Sequence, residues 1–136
     1  MEKPVDGITN FLIGGSPVLS RLNKSKYEEC LFYEKSLKLL PEVKLTDSPA
    51  LEEGVFISGS INLKSKKIIF TFDFNKDNTV NIYKEVNKNS EKIFNGPWDT
   101  GFHLISELII QGFKLKPASP QFKKVTAALS EIIKRG

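Results

Sequence analysis

Hydrophobic and polar residues alternate with a period of two in three consecutive segments of the chain, 55–63, 68–74 and 79–86. Such alternation places every second side chain on the same face of a β-strand. Polar stretches of four residues, 64–67 and 75–78, separate these segments, and their length suits a turn between antiparallel strands. The pattern therefore predicts an antiparallel meander. A fourth strand is predicted at 92–95.

The alternation assigns apolar residues to one face of the predicted sheet and polar residues to the other. The apolar face is predicted to consist of Val55, Ile57, Gly59, Ile61, Leu63, Ile68, Phe70, Phe72, Phe74, Val80, Ile82 and Val86. The opposite face carries Ser58, Ser60, Asn62, Thr71, Asp73, Asn81, Tyr83 and Glu85. We expect this polar face to lie in water or against a polar partner. The large side chains that remain on this outer face are only Tyr83, Ile69 and Phe56. A face that binds RNA by base stacking needs several exposed aromatic rings, so this composition argues against one.

Helical spacing of apolar residues predicts two helices after the sheet. The first has Asp99 as its N-cap and Gly112 as its C-terminal stop. The second begins at Ser119 and Pro120, an N-cap and a first-turn proline. The apolar residues of the first are Phe102, Ile105, Leu108 and Ile109. Those of the second are Phe122, Val125, Leu129, Ile132 and Ile133.

The segment before the sheet is also predicted to be mainly helical. A helix over 27–40 ends before Pro41, with Tyr27, Leu31 and either Phe32 or Leu37 turned inward, although a strand around Cys30 is an alternative. Segment 8–13 is predicted to be either a short helix or an irregular apolar segment, and shorter helical segments are predicted at 16–22 and at 48–53. Because strands lie in one run with helices on both sides, we predict one α+β domain over 1–136. Its sheet has three to four strands, and the helices pack on one face.

Composition supports a globular chain of a restricted class. Hydrophobic residues make up 40% of the 136 residues, enough for a substantial core. The single cysteine, Cys30, excludes an internal disulfide, and the single histidine, His103, excludes motifs that need two imidazoles. The chain begins without the pattern of a signal peptide and has no apolar run of about 18 residues. We therefore expect a soluble cytoplasmic protein that does not enter a membrane.

The positive charge is concentrated near the C-terminus. The net charge is +4, and segment 114–136 carries Lys114, Lys116, Lys123, Lys124, Lys134 and Arg135 against Glu131 alone. These residues either keep the outer face of the last helix hydrated or attract phosphates or an acidic partner. Lysine lacks the planar fork with which arginine reads guanine edges, so we expect nonspecific phosphate contacts at most.

Two segments have part of a ligand-binding pattern. Segment 73–78 has oxygen-bearing side chains at its first, third and fifth positions, as at the start of an EF-hand calcium loop. The twelfth position is Lys84 where that loop needs a bidentate Glu, so a polar hairpin turn is the preferred interpretation. Gly14 and Gly15 before a possible helix suit an anion site, but a plain turn explains them better. We predict no metal and no cofactor.

No convincing catalytic set is found. Cys30 is expected to be a small core residue, and a Cys30–His103 dyad would require the two side chains to meet in space. Asp73 and Glu85 are candidates for a carboxylate pair across neighbouring strands, but both belong to the polar outer face. The sequence therefore favours a protein that is not an enzyme.

Trp98 is the most suggestive binding residue. It lies between turn-forming residues, in a predicted loop between sheet and helix, where a tryptophan either anchors a partner or caps the core. Our leading hypothesis is a domain that binds another protein through Trp98, Tyr83 and the lysine pair Lys123 and Lys124. The alternative is nucleic-acid binding through the C-terminal basic residues, including Lys114 and Lys116.

Overall fold

The structure, a computed structural model, describes residues 24–47, 49 and 51–135. The helices are α1 (Lys24–Leu39), α2 (Trp98–Gly112) and α3 (Pro120–Arg135). The strands are β1 (Val43–Leu45), β2 (Val55–Leu63), β3 (Ile68–Asn75), β4 (Thr79–Val86) and β5 (Asn89–Pro97). A short 3-10 turn, Leu51–Glu53, precedes β2, and another, Lys64–Lys66, follows it. The predictions on 8–13, on Gly14 and Gly15 and on 16–22 lie outside the described residues.

The strands form one antiparallel sheet in the order β1-β2-β3-β4-β5. The predicted α+β fold and meander are confirmed, with five strands instead of three to four. The strand predicted at 92–95 corresponds to β5, which is longer and spans Asn89–Pro97. The strand that was not predicted, β1, has only three residues, too few for a recognisable alternation, and it is held by pairing Val43 with Ile61 and Leu45 with Gly59.

The core lies on the face of the sheet that the alternation assigned to apolar residues. Phe72, Phe74, Val80 and Ile82 are fully buried there. Phe56, expected on the outer face, is also buried. The reason is a β-bulge: the pairing of β2 with β3 shifts between Val55 and Ile57, and the extra residue interrupts the alternation.

In the described part of the chain, three helices cover this face. The first helix packs on β1 and β2, α2 packs on β4 and β5, and α3 contacts both other helices. The helical prediction for 27–40 is confirmed and the strand alternative is wrong. Cys30, Tyr33 and Leu37 form the buried stripe of α1, at spacings of three and four residues. Leu31, expected inward, is 40% exposed because it lies one residue, about 100°, from that stripe.

The predicted ends of α2 are corrected in detail. Asp99 is not the N-cap, because the helix begins at Trp98 with Pro97 as its cap. Gly112 is the last helical residue, yet the left-handed residue that ends the helix is Lys114, at φ 51°. Lys114 and the next residue, Leu115, donate N–H bonds to Gln111 O and Ile110 O at 3.3 and 3.0 Å, the pattern of a Schellman motif.

Gly112 is needed at the end of α2 for a different reason, its close approach to β2. A Cβ at this position would lie 2.8 Å from Leu63 Cδ2. The small residue therefore allows the helix to sit directly on the end of the strand.

The predicted start of α3 is confirmed. Pro120 is its first residue, and Ser119 Oγ accepts a hydrogen bond from the Phe122 N–H at 3.2 Å. Val125, Ala128 and Ile132 form its buried stripe. Ile133, expected inward, is 65% exposed, because adjacent residues of a helix lie about 100° apart and Ile132 takes the inward position.

The segment between β3 and β4 is a tight hairpin turn, which was the interpretation preferred to a calcium loop for 73–78. Asp77 Oδ1 accepts the Thr79 N–H at 3.1 Å, and Asn78 adopts a left-handed φ of 69°. The hydrogen bond and the left-handed residue are both typical of a polar turn, and the bond uses Asp77 Oδ1 within the turn itself.

Candidate functional site

The outer face of the sheet is a layer of polar side chains bonded to one another. Ser58 Oγ donates to Asp73 Oδ1 at 2.7 Å, and Asn95 Nδ2 donates to Asn81 Oδ1 at 2.6 Å. Tyr83 is half-buried in this layer, and Lys92 Nζ lies 6.0 Å from the centroid of its ring. Tyr83 therefore presents part of an aromatic ring on an otherwise polar surface.

Trp98 is placed at the first residue of α2 and not in a loop, so its expected position is wrong. Its side chain is 4% exposed, and its Nε1 donates a hydrogen bond to Asn75 O at 3.2 Å. The ring centroids of Tyr33 and Phe74 lie 5.1 and 5.6 Å from that of Trp98. The tryptophan thus joins α1, β3 and α2 in the core, which corresponds to the alternative role of a core cap.

A groove lies between the first turns of α2 and the last turns of α3. Its volume is about 310 Å³, and its lining residues are Asp99, Thr100, His103, Leu129, Ile132 and Ile133. One wall is polar and comes from α2, while the other is apolar and comes from α3. Two adjacent residues of a helix cannot both face one core. The consecutive pair Ile132 and Ile133 could therefore have predicted an exposed apolar side chain at this groove.

The predicted basic residues are separated by the structure. Lys114 and Lys116 lie exposed in the connector 113–119, and Lys123 and Lys124 are exposed in the first turns of α3. Lys134 lies at the other end of α3, about 16 Å farther along the helix axis than Lys123. Its Nζ is 3.5 Å from Glu131 Oε2. The C-terminal basic residues therefore do not form one patch.

The candidate catalytic residues lie in different surroundings. Cys30 is 3% exposed in the core, whereas His103 is exposed in the groove. Asp73 pairs with Asn81 and Glu85 pairs with Ile69, so the two carboxylates do not face each other across strands. Burial, with smaller effects of Cys30 and Glu34, raises the pKa of the Tyr27 phenol above its ordinary value.

The part of the chain that the structure describes contains no group of three or more His, Cys, Asp and Glu side chains able to hold a metal ion. None of the described helices combines the length and apolar character that crossing a bilayer requires. Comparisons of the chain with protein-family models, with curated proteins and with solved structures gave no match.

Proposed function

We propose that this chain is a non-catalytic domain that binds another protein in the groove between α2 and α3. The observation that carries the proposal is the exposure of Ile133. It is 65% exposed, the largest exposed fraction among the large apolar side chains described. A single exposed apolar residue is ordinary, but this one lies beside Leu129 and Ile132 in a concave site.

The two walls of the groove favour an amphipathic helix as the bound element. An apolar side chain of the partner would pack on Leu129 and Ile133, and a basic or hydroxyl side chain beside it would reach Asp99 or Thr100. Helix-in-groove recognition uses this combination of an apolar seam and a polar rim. The net −1 charge of Asp99 on this rim favours a partner with a positive charge beside its apolar anchor.

The non-catalytic part of the proposal is supported by Cys30 and His103. A nucleophile must be reached by its substrate, and the thiol of Cys30 is covered by the core. A cytoplasmic location is part of the same proposal, and it is supported by a composition with one cysteine.

The proposal is tested by affinity capture from host lysate with three forms of the tagged full chain. These are the unmodified protein, Ile133→Asp, and Leu39→Asp as a matched control. Leu39 is 54% exposed on α1, outside the groove, so it receives the same chemical change at a comparable exposure. Circular dichroism verifies that both variants are folded, as expected for exposed positions.

We expect a stoichiometric protein to be captured by the unmodified chain and by Leu39→Asp, to survive nuclease treatment, and to fall at least about tenfold with Ile133→Asp. Equal capture by all three forms would exclude the groove as the binding site. A fourth form, Tyr83→Ala, is added to these three, because a loss of capture with it alone would assign binding to the polar face of the sheet.

A further inference from the structure

Three chain turns meet at one end of the sheet. In the register of the strands, Ile68 pairs with both Leu63 and Val86, so the β2–β3 turn and the β4–β5 turn are neighbours. The connector from α2 to α3 joins them, because Gly112 lies against Leu63, the residue before the β2–β3 turn. Segments 64–67, 87–88 and 113–119 therefore form a common surface.

This surface is rich in lysine. We call it the lysine end and define it by Lys64, Lys66, Lys67, Lys88, Lys114 and Lys116, all exposed. The three segments contain no carboxylate. None of the six ammonium groups forms an ion pair with a carboxylate of the described residues. The carboxylates near these turns are Glu42, just before β1, and Glu85 and Glu91 on β4 and β5, so the six ammonium groups outnumber them two to one.

Each of the three turns holds a lysine in left-handed backbone. The φ angles are 57° at Lys67, 67° at Lys88 and 51° at Lys114. Glycine and asparagine adopt this conformation more easily than lysine. The opposite end of the sheet has those favoured residues, Gly54 at φ 84° and Asn78 at φ 69°. Lysine at all three positions of the lysine end is thus costly for the fold, which points to a use for the charges.

We propose that the lysine end binds the phosphate backbone of double-stranded nucleic acid without sequence preference. Ammonium groups attract phosphates as point charges and release the bound counterions. Single strands are less suited, because they are bound by stacking on exposed aromatic rings. The one aromatic residue of the three segments, Phe113, is half-buried and packs on the core.

The deciding experiment is fluorescence anisotropy of a labelled DNA duplex of mixed sequence with the full chain. The test variant is Lys67→Gly/Lys88→Gly/Lys114→Gly, which removes three charges while relieving the backbone at the same positions. Lower stability is therefore not expected to accompany the loss of charge. An asparagine version of the triple variant repeats the test with a residue that retains a side chain. The control, Lys35→Gln/Lys76→Gln/Lys134→Gln, removes three exposed charges away from the lysine end.

We expect duplex binding whose affinity falls about a thousandfold between about 50 and about 200 mM salt if six phosphates are contacted. The slope of log affinity against log salt should be about −5 for the unmodified chain and about −3 for the triple glycine and triple asparagine variants. At the lower salt concentration those two variants should bind at least about a hundredfold more weakly. The control should remain within about threefold of the unmodified chain.

Three results would overturn the proposal. The first is the absence of duplex binding at the lower salt concentration. The second is an equal loss in the control, which would mean that only net charge matters. The third is competition by polyglutamate as strong as that by unlabelled duplex at equal charge, which would assign the lysine end to an acidic protein surface.

Discussion

Replacement of Trp98 measures how strongly one aromatic cluster holds the sheet and two helices together. Trp98→Ala removes a side chain that is 4% exposed and that contacts Tyr33 and Phe74 at centroid distances of 5.1 and 5.6 Å. It also leaves Asn75 O without its indole donor. The change creates a cavity at the junction of α1, β3 and α2, while Asn75 O keeps the hydrogen bond from the Asn78 N–H at 3.1 Å.

Truncation of a buried tryptophan to alanine lowers the free energy of unfolding by about 3–5 kcal/mol. A domain of this size has about 5–15 kcal/mol in total, so the variant should be severely destabilised. Trp98→Phe keeps one aromatic ring but loses part of the buried indole volume together with the hydrogen bond to Asn75 O, and we expect a smaller loss of about 1–2 kcal/mol. The difference between the two losses measures the contribution of the aromatic ring that phenylalanine retains.

The assay is urea denaturation followed by far-UV circular dichroism, since the variants lack the single tryptophan that fluorescence would report. Leu39→Ala is the control and should change the free energy of unfolding by no more than about 0.5 kcal/mol, because Leu39 is 54% exposed. A loss below about 1 kcal/mol for Trp98→Ala would refute the core assignment. Blue-shifted emission from the unmodified protein, with a red shift on unfolding, gives an independent check of its burial.

Two further predictions concern backbone conformation and close packing. Asn87 and Lys88 form the two-residue β4–β5 turn, with φ of 52° and 67°. Because glycine adopts this backbone more easily than lysine, Lys88→Gly should raise the free energy of unfolding by about 0.5–1 kcal/mol in the same urea assay. A decrease would contradict the assigned backbone. Gly101→Ala should lower it by about 1–3 kcal/mol, because the new Cβ would lie 2.7 Å from Val80 Cβ. In a double-mutant cycle, adding Val80→Ala to Gly101→Ala should recover part of that loss, because it shortens the side chain that the new Cβ meets. If the losses in the free energy of unfolding of the two single variants simply add, the clash is excluded.

Part of the candidate sites was visible in the sequence and part was not. The lysines of the C-terminal segment were recognisable from composition, but their division between the two ends of α3 follows from the helix geometry. Segment 64–67 was predicted to be an ordinary polar turn and Lys88 was given no role, because nothing local relates these residues to a connector at 113–119. The register of β2, β3 and β4 brings these segments together.

The groove was missed for a related reason. The apolar stripe of α3 shows which of its residues are able to be buried, but not how far the neighbouring helices extend over them. Ala128 is buried against the core, whereas Ile133 is exposed. Trp98 was misplaced because its flanking residues favour turns, while its burial depends on Tyr33 and Phe74, distant in sequence.

The sequence by itself determined the local structure that short-range physics controls. Alternation specified β2, β3 and β4, and the pair Ser119 and Pro120 specified the start of α3, because each signal lies within a few adjacent residues. Tertiary structure alone decided the short strand β1, the burial of Phe56 at a bulge and the exposure of Leu31. It also brought three lysine-bearing turns to one end. These features depend on contacts between residues far apart in the chain, and no local pattern encodes such contacts.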